Sequence, residues 1–183
     1  MGSPSDPVTT PSNDGIATTV RKDKSKVAIT RRPKNCVNGD ILRPYISGYV
    51  DGEGCFSVSL SRRSKMLMGY EVRPSFAVAQ NSDRARVLYL MKEYFKCGSI
   101  RKDSSDKTLK YEVRSLTDLV RNIIPHFEEY PLLSEKHESF LLFRSIVVDM
   151  VSGKHLSVSH FDSIFERAVR INSGKRKYSF GKI

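Results

Sequence analysis

Two carboxylates, those of Asp51 and Glu53, stand in a glycine-rich stretch of the sequence, YISGYVDGEGCFSVSL, which spans residues 45–60. Carboxylate oxygens are hard ligands that suit Mg²⁺, above all beside phosphate groups. Glu53 is therefore either a metal ligand or a solvated acid at the end of a helix. The elements that precede and follow it bear on that choice.

The two acids lie where a helical pattern gives way to a strand pattern. Before them, apolar residues recur at helical spacing, at Leu42, Tyr45, Ile46 and Tyr49. After them the sequence alternates with period two: Phe56, Val58 and Leu60 point one way, and Cys55, Ser57, Ser59 and Ser61 the other. The pattern predicts a short helix that leads directly into a strand.

The rest of the chain predicts three more strands and four more helices. YEVRPSFAVAQ reads as a strand, in which Pro74 indicates an edge position or a bulge. A helix follows Ser82, then a hairpin with its turn at 104–106, then a helix broken by Pro125. Residues 132–151 and 157–172 predict two more helices. The predicted fold class is α+β, with the order αββαββα, helices on one face of a four-stranded antiparallel sheet, and extra C-terminal helices.

The charge of the chain restricts its partners. It has 31 Lys and Arg against 20 Asp and Glu, a formal net charge of +11 and a pI of about 9.7. That balance is typical of nucleic-acid binding, although a soluble basic protein without such a role has it too. No apolar run approaches the roughly 20 residues that span a bilayer, and no secretory signal is recognisable, so no membrane partner is expected.

Cysteines and histidines argue against several kinds of site. Cys36, Cys55 and Cys97 are odd in number and widely spaced, which disfavours a disulfide framework and a structural zinc site. A reducing intracellular compartment is predicted, either a bacterial cytoplasm or an organelle. The four histidines, none of them at metal-ligand spacing, are interpreted as structural or surface residues: His126, His137, His155 and His160.

Composition divides the chain into three parts. Residues 1–39 predict a disordered basic tail, which could touch phosphates or be a solvated linker. Residues 40–175 predict a single folded domain, and residues 176–183 a basic C-terminal tail.

The stretch ISGYVDGEG, residues 46–54, resembles the nine-residue signature of LAGLIDADG homing endonucleases, in the variant often written LAGFVDGEG. The resemblance extends over about residues 41–151, and the element order and basic charge agree with it. Because no second copy of the motif is found, the chain resembles the single-motif members that mobile introns encode. The resemblance implies a saddle-shaped sheet and a sequence-specific endonuclease that cuts both DNA strands and leaves short 3′ overhangs.

The spacing of the motif glycines supports a homodimer. Gly48 and Gly52 lie four apart on one helix face, and missing side chains at that spacing let two helices approach closely. A second copy of the chain is the simplest source of the second helix, and two-fold symmetry would bring the two Glu53 carboxylates together around a cation. The predicted dimer-interface residues are Ile46, Gly48, Tyr49 and Gly52.

The resemblance also suggests roles for individual residues. Glu53 aligns with the catalytic, metal-binding acid, and Asp51 with an acid that braces the motif helix. Gln80 resembles a polar active-site residue that contacts metal-bound water, and Arg84 a basic residue near the scissile phosphate. Lys136 resembles a catalytic lysine, although Glu135 occupies a neighbouring position where some relatives carry a basic residue.

Polar side chains on the outward side of the strands predict the DNA-binding surface. Two-stranded ribbons fit the major groove, where Arg and Lys pair with guanine. The predicted DNA-binding residues are Ser57, Ser59, Ser61, Arg62, Arg63, Glu71, Arg73, Ser75, Arg101, Asp103, Lys110, Glu112 and Arg114.

The predicted function is a homodimeric, Mg²⁺-dependent endonuclease that hydrolyses both strands of a long pseudo-palindromic site in double-stranded DNA. Mn²⁺ is expected as a substitute ion, and Ca²⁺ is expected to support binding without efficient cleavage. One alternative is an RNA-binding maturase that assists splicing of intron RNA. The other is a catalytically inactive DNA-binding regulator on the same scaffold.

Overall fold

The computed structural model of the protein describes residues 39–102 and 107–172. The predicted C-terminal tail, the predicted hairpin turn at 104–106 and the predicted DNA-binding residue Asp103 lie outside the described residues. So does the predicted N-terminal tail except for its last residue, Gly39, which begins the first helix.

The first helix, α1 (Gly39–Glu53), passes directly into the first strand, β1 (Gly54–Arg62). The other strands are β2 (Tyr70–Asn81), β3 (Ser99–Lys102) and β4 (Thr108–Val113), and α2 (Arg86–Phe95) connects β2 to β3. Short helices α3 (Leu116–Asp118) and α4 (Ile124–Glu129) follow, and then two long ones, α5 (Lys136–Val151) and α6 (Val158–Asn172).

The four strands form one antiparallel sheet in the order β1-β2-β4-β3. Its register places Phe56 opposite Phe76, and Phe76 opposite Val113, so inward-pointing side chains of neighbouring strands lie side by side. The predicted α+β class, strand number and strand direction are confirmed.

One face of the sheet carries the core. The ring of Phe56 lies 5.2 to 5.4 Å, centroid to centroid, from the rings of Phe76, Phe127, Phe140 and Phe143. These partners come from β2, α4 and α5, so a single aromatic residue of β1 joins the sheet to two helices. We call the opposite side, which carries polar residues, the open face.

Pro74 lies in β2, an inner strand, yet its position is locally an edge. It pairs with Val58 of β1, whereas pairing between β2 and β4 begins only at Phe76. In the described part of the chain, β2 therefore has a strand on only one side at Pro74, where a missing N–H costs little. Of the two predicted alternatives, an edge position or a bulge, the register shows a local edge within an inner strand.

The helical segment around Pro125 is not broken, contrary to the prediction. A π-helical turn at Leu119–Ile123 joins α3 to α4, and Pro125 follows in the first turn of α4. A proline clashes with the carbonyl four residues earlier, and the wider π turn relieves that clash while the helix continues.

The two C-terminal helices pack near β1. Helix α5 begins at Lys136, four residues later than predicted. At the end of α6, Asn172 Nδ2 donates a hydrogen bond of 2.6 Å to the carbonyl oxygen of Val58, which fixes α6 to the sheet. None of the helices that the structure describes combines the length and apolar character needed to cross a bilayer.

Candidate active site and nucleic-acid interface

Helix α1 presents a stripe of small and apolar residues to solvent. Gly48 and Gly52 are exposed, and a Cβ atom added at either would meet nothing within 4 Å. Ile41 and Tyr45, two turns and one turn before Gly48, are 64% and 49% exposed. The described part of the chain thus leaves this stripe open along the length of α1, and it ends at Glu53.

Ile46 does not belong to that stripe. It is fully buried and packs in the core, so its prediction as a dimer contact is wrong. The helix turns by 100° per residue, which places Ile46 on the side that faces the sheet while Gly48 faces away.

Tyr49 is half-buried and contacts the end of β2. Its hydroxyl oxygen accepts a hydrogen bond of 2.5 Å from Nε2 of Gln80, and Oε1 of Gln80 accepts one from the backbone N–H of Asn81. Tyr49 was predicted at the dimer interface, and no pattern in the sequence indicates its contact with Gln80. The pair holds the Gln80 amide beside the motif helix.

Glu53 is the exposed last residue of α1 and is followed by a turn that requires glycine. A Cβ atom at Gly54 would lie 2.5 Å from Cγ1 and 2.7 Å from the carbonyl oxygen of Val50, which is too close for any side chain. This close approach makes the change from helix to strand abrupt, and so sets the position of Glu53 at the junction.

Lys136 lies against the same end of α1. Its Nζ donates hydrogen bonds to the carbonyl oxygens of Val50, at 2.9 Å, and Gly52, at 3.2 Å. A cation is favourable there because the last carbonyls of a helix carry partial negative charge. The structure thus brings Lys136 to the junction that carries Glu53.

Asp51 ties α1 to the segment before α5. Its carboxylate accepts hydrogen bonds from the hydroxyl of Ser134 at 2.5 Å and from the backbone N–H groups of Ser134, at 3.1 Å, and Leu133, at 3.2 Å. The Ser134 hydrogen bond is the main reason why the pKa of Asp51 lies below its usual value. Asp51 is therefore a brace that positions Lys136.

Arg84 lies in a short 3₁₀ turn after β2, and its side chain is 76% exposed. Its guanidinium forms an ion pair of 3.7 Å with Asp83, which is exposed as well. An exposed pair of this kind contributes little to stability, so Arg84 is free to exchange its partner for a phosphate.

The open face of the sheet holds a polar groove of about 330 Å³, which we call the basic groove. Most of the predicted DNA-binding residues that the structure describes line it. Its lining consists of Ser57, Ser59, Leu60, Ser61, Arg73, Ser75, Lys110, Glu112 and Arg114.

Two of these residues are covered, contrary to the prediction that they are exposed. Ser75 is 7% and Glu112 4% exposed, because the side chains of Arg101, Lys110 and Arg114 lie over the Glu112 carboxylate. The period-two pattern assigned the correct side of the sheet but carried no information about what covers that side.

Of the remaining predicted residues that the structure describes, Arg101 lies on β3 and binds Glu112, and the others lie around Glu71 at the far end of β1 and β2. Glu71 binds Arg63 at 3.2 Å and Arg73 at 2.8 Å, and the Arg73 hydrogen bond is the main reason for the low pKa of its carboxyl group. Arg62 donates a hydrogen bond of 3.3 Å to the hydroxyl of Tyr70.

His126, which was interpreted as a structural or surface residue, is buried behind α1. Its Nε2 lies 3.2 Å from Oγ of Ser47, and its Nδ1 lies 3.0 Å from the hydroxyl of Tyr94. Burial lowers the pKa of His126 to about 4, so the ring is neutral at pH 7. The hydrogen bonds of His126 thus help to fix α1 against α2 and α4.

Comparison with known proteins identifies the family. A family model described as LAGLIDADG endonuclease matches residues 46–147, which include the motif end of α1, the sheet and Lys136. The chain belongs to the LAGLIDADG endonuclease family. Its αββαββα core and four-stranded sheet are those of the family's solved structures. The family predicted from the resemblance of residues 46–54 is confirmed.

Individual relatives support the assignment. The chain is 31% identical over 144 residues to a probable intron-encoded endonuclease 2 of Neurospora crassa, and this covers 78% of the chain. The structure of the homing endonuclease I-TnaI is similar with a TM-score of 0.68 and 34% identity, over 73% of this chain and 89% of that one. The archaeal intron-encoded homing endonuclease I-Vdi141I, solved in complex with DNA, gives a TM-score of 0.71 and 26% identity, over 80% and 91%.

The chain spans 32% of the length of the Neurospora protein and 25% of two further fungal relatives. The two solved structures, in contrast, are covered almost completely.

Proposed function

We propose that the chain is a site-specific endonuclease that binds double-stranded DNA as a homodimer and hydrolyses both strands. The observation that carries this proposal is the open glycine stripe of α1, which leads to an exposed Glu53 beside Lys136. The family membership and the DNA complex of I-Vdi141I support the same activity.

The dimer forms through the stripes of two α1 helices. Because Gly48 and Gly52 leave open space on the surface of one chain, a second helix can approach the backbone there. A two-fold axis along this contact brings two Glu53 carboxylates together, and each chain contributes one half of the site.

The donor set of one chain fits half of a metal site. Within residues 39–102 and 107–172, no three His, Cys, Asp or Glu side chains are grouped so that they could hold a metal ion. Two Glu53 carboxylates from two chains, together with DNA phosphate oxygens, form the hard oxygen set that suits Mg²⁺. Bound Mg²⁺ supplies charge neutralisation and an activated water for phosphodiester hydrolysis.

The other residues at the junction position the reacting groups. Tyr49 orients the Gln80 amide, which is in place to hold a water molecule by a hydrogen bond. Lys136 adds positive charge at the end of α1, and exposed Arg84 is available for a phosphate.

DNA lies along the open face of the sheet. Arg73, Arg101 and Arg114 are 48%, 53% and 57% exposed at their side chains, so their guanidinium groups are accessible to base edges and phosphates. Two sheets related by the two-fold axis would read a long, pseudo-palindromic site. We assign the endonuclease domain to residues 40–175, the bounds that the sequence predicts.

The experiment that tests this function is cleavage of a plasmid library with long randomised inserts, with Mg²⁺ and the purified chain. Linear product from a restricted set of inserts is the expected result, and intronless alleles of candidate host genes are the first defined targets. Mn²⁺ should replace Mg²⁺, whereas Ca²⁺ should allow binding with little product. Absence of linear product together with tight binding of intron RNA would instead favour a maturase.

A further inference from the structure

Glu112 is a buried carboxylate in the middle of a surface that is otherwise basic. It lies on the inner strand β4, between Ala77 of β2 and Ser99 of β3, and is 4% exposed. An ionised group is rarely buried to this degree unless it is fully paired. The side chains around Glu112 should therefore supply the hydrogen bonds and positive charge that a buried carboxylate needs.

Both oxygens of Glu112 are occupied by donors. Oε1 accepts from the hydroxyl of Ser75, from Nζ of Lys110 and from Nη2 of Arg114, each at 3.1 Å. Oε2 binds Nε of Arg114 at 3.0 Å and also Nη2 of Arg101. A carboxylate has about four lone-pair sites, and these five donors use them all. No acceptor position remains for the amino group of a cytosine.

We infer that Glu112 is a positioning residue for DNA readout: it holds Arg114, which lines the basic groove, and Arg101 of β3 in fixed orientations and contacts no base itself. This inference rests on the proposed function. A free arginine on a strand loses rotamer freedom when it binds a base, and an arginine already held by a carboxylate loses less. The two side chains remain about half exposed, so each keeps N–H donors for a guanine edge.

Glu71 provides a matched comparison on the same face. It also binds two arginines, Arg63 and Arg73, but its side chain is 23% exposed, whereas that of Glu112 is 3% exposed. Water can replace a lost partner at Glu71 and cannot at Glu112. Removing the charge should therefore disturb the arginines around Glu112 more than those around Glu71.

The test is selection from a randomised DNA duplex library, in EDTA to prevent cleavage, by the full chain and by the variants Glu112→Gln and Glu71→Gln. Affinity is then measured for the duplex that the unaltered chain selects and for a scrambled duplex of the same composition. Glu112→Gln should lower the ratio of these two affinities by about tenfold, because a well-placed arginine–guanine contact discriminates by roughly fivefold to 150-fold. Affinity for the scrambled duplex should stay constant or rise, since a negative charge near phosphate is removed.

Double-mutant cycles separate positioning from direct contact. In a chain that already carries Arg101→Ala and Arg114→Ala, Glu112→Gln should change the affinity ratio no further. A persistent effect confined to one base pair would mean that Glu112 contacts a base, and would overturn the inference. An equal loss of the ratio in Glu71→Gln and Glu112→Gln would overturn it as well.

Two further outcomes are distinct from these. If Glu112→Gln does not fold, as judged by its melting curve, the inference is tested by the coupling between the effects of Arg101→Ala and Arg114→Ala on the affinity ratio. Both arginine side chains are exposed, so their removal should not prevent folding. Coupled effects support a shared carboxylate, and additive effects overturn it. If the unaltered chain selects no sequence at all, the sequence specificity in the proposed function fails, and the inference fails with it.

Discussion

At the scale of single residues, His126 connects three helices at one buried point. It lies in α4 and contacts Ser47 of α1 and Tyr94 of α2 through its two ring nitrogens. Protonation would place a charge on a ring without access to water, with neutral hydroxyl groups beside both nitrogens. The motif helix therefore depends on a histidine that remains neutral.

Acid should destabilise the protein through His126. The ordinary pKa of a histidine is 6.5, and that of buried His126 is about 4, so the unfolded chain takes up the proton first. The stabilising contribution is fully present above pH 6.5 and is lost as the pH falls toward 4. Between pH 7 and pH 5 the free energy of unfolding should fall by about 2 kcal/mol.

Urea denaturation at the two pH values measures this loss. His126→Gln is the control, because its amide keeps hydrogen-bonding groups and does not titrate. The variant should be less stable at pH 7 and should lose little more at pH 5. An unchanged pH dependence in the variant would assign the effect to other groups.

At the scale of elements, the junction between α1 and β1 sets the position of Glu53. Val50 fills the space beside Gly54, with its carbonyl oxygen 2.7 Å from where a Cβ atom would lie. The carbonyl oxygen belongs to the backbone, so its contact cannot be relieved by rotating a side chain.

Gly54→Ala should therefore destabilise the chain by about 1–3 kcal/mol, through forced movement of α1 against β1. Gly39→Ala is the matched control, since a Cβ atom there meets nothing within 4 Å and alanine favours a helix. Thermal unfolding of the two variants measures the difference. Equal melting temperatures would contradict the close approach at Gly54.

The same elements show what a sequence can and cannot predict. The strands were predictable because Phe56, Val58 and their neighbours alternate with polar residues, and the motif located Glu53 between a helix and a strand. The burial of Glu112 was not, because alternation gives the side of a sheet and not the long side chains that cover it. Neither the π turn before Pro125 nor the contact of Tyr49 with Gln80 leaves a periodic signal, since both depend on how separate elements pack.

At the level of the whole molecule, the proposed active site requires two chains, because each contributes one Glu53 carboxylate. Gly48→Leu separates folding from association, because the added side chain has open space in one chain and would collide only with a second helix. The variant should show the melting curve of a folded protein. In sedimentation it should have the mass of a monomer, about 20.8 kDa, whereas the unaltered chain should have about twice that mass.

Gly39→Leu, at the other end of the same helix, should remain a dimer and is the control. If Gly48→Leu still sediments as a dimer, the α1 stripe is not the interface. The arrangement of two Glu53 carboxylates would then have no basis.

The most direct test of Glu53 as the metal-binding acid is the substitution Glu53→Gln, assayed for cleavage and for binding on one duplex selected from the library. Glutamine keeps the size of the side chain and removes the charge that would hold Mg²⁺, while the basic groove that binds DNA is unchanged. We expect Glu53→Gln to give no linear product, with binding retained or tightened. The control Glu93→Gln, at an exposed glutamate of α2, should cleave normally. Cleavage by Glu53→Gln at the rate of the unaltered chain would contradict the role of Glu53 in catalysis.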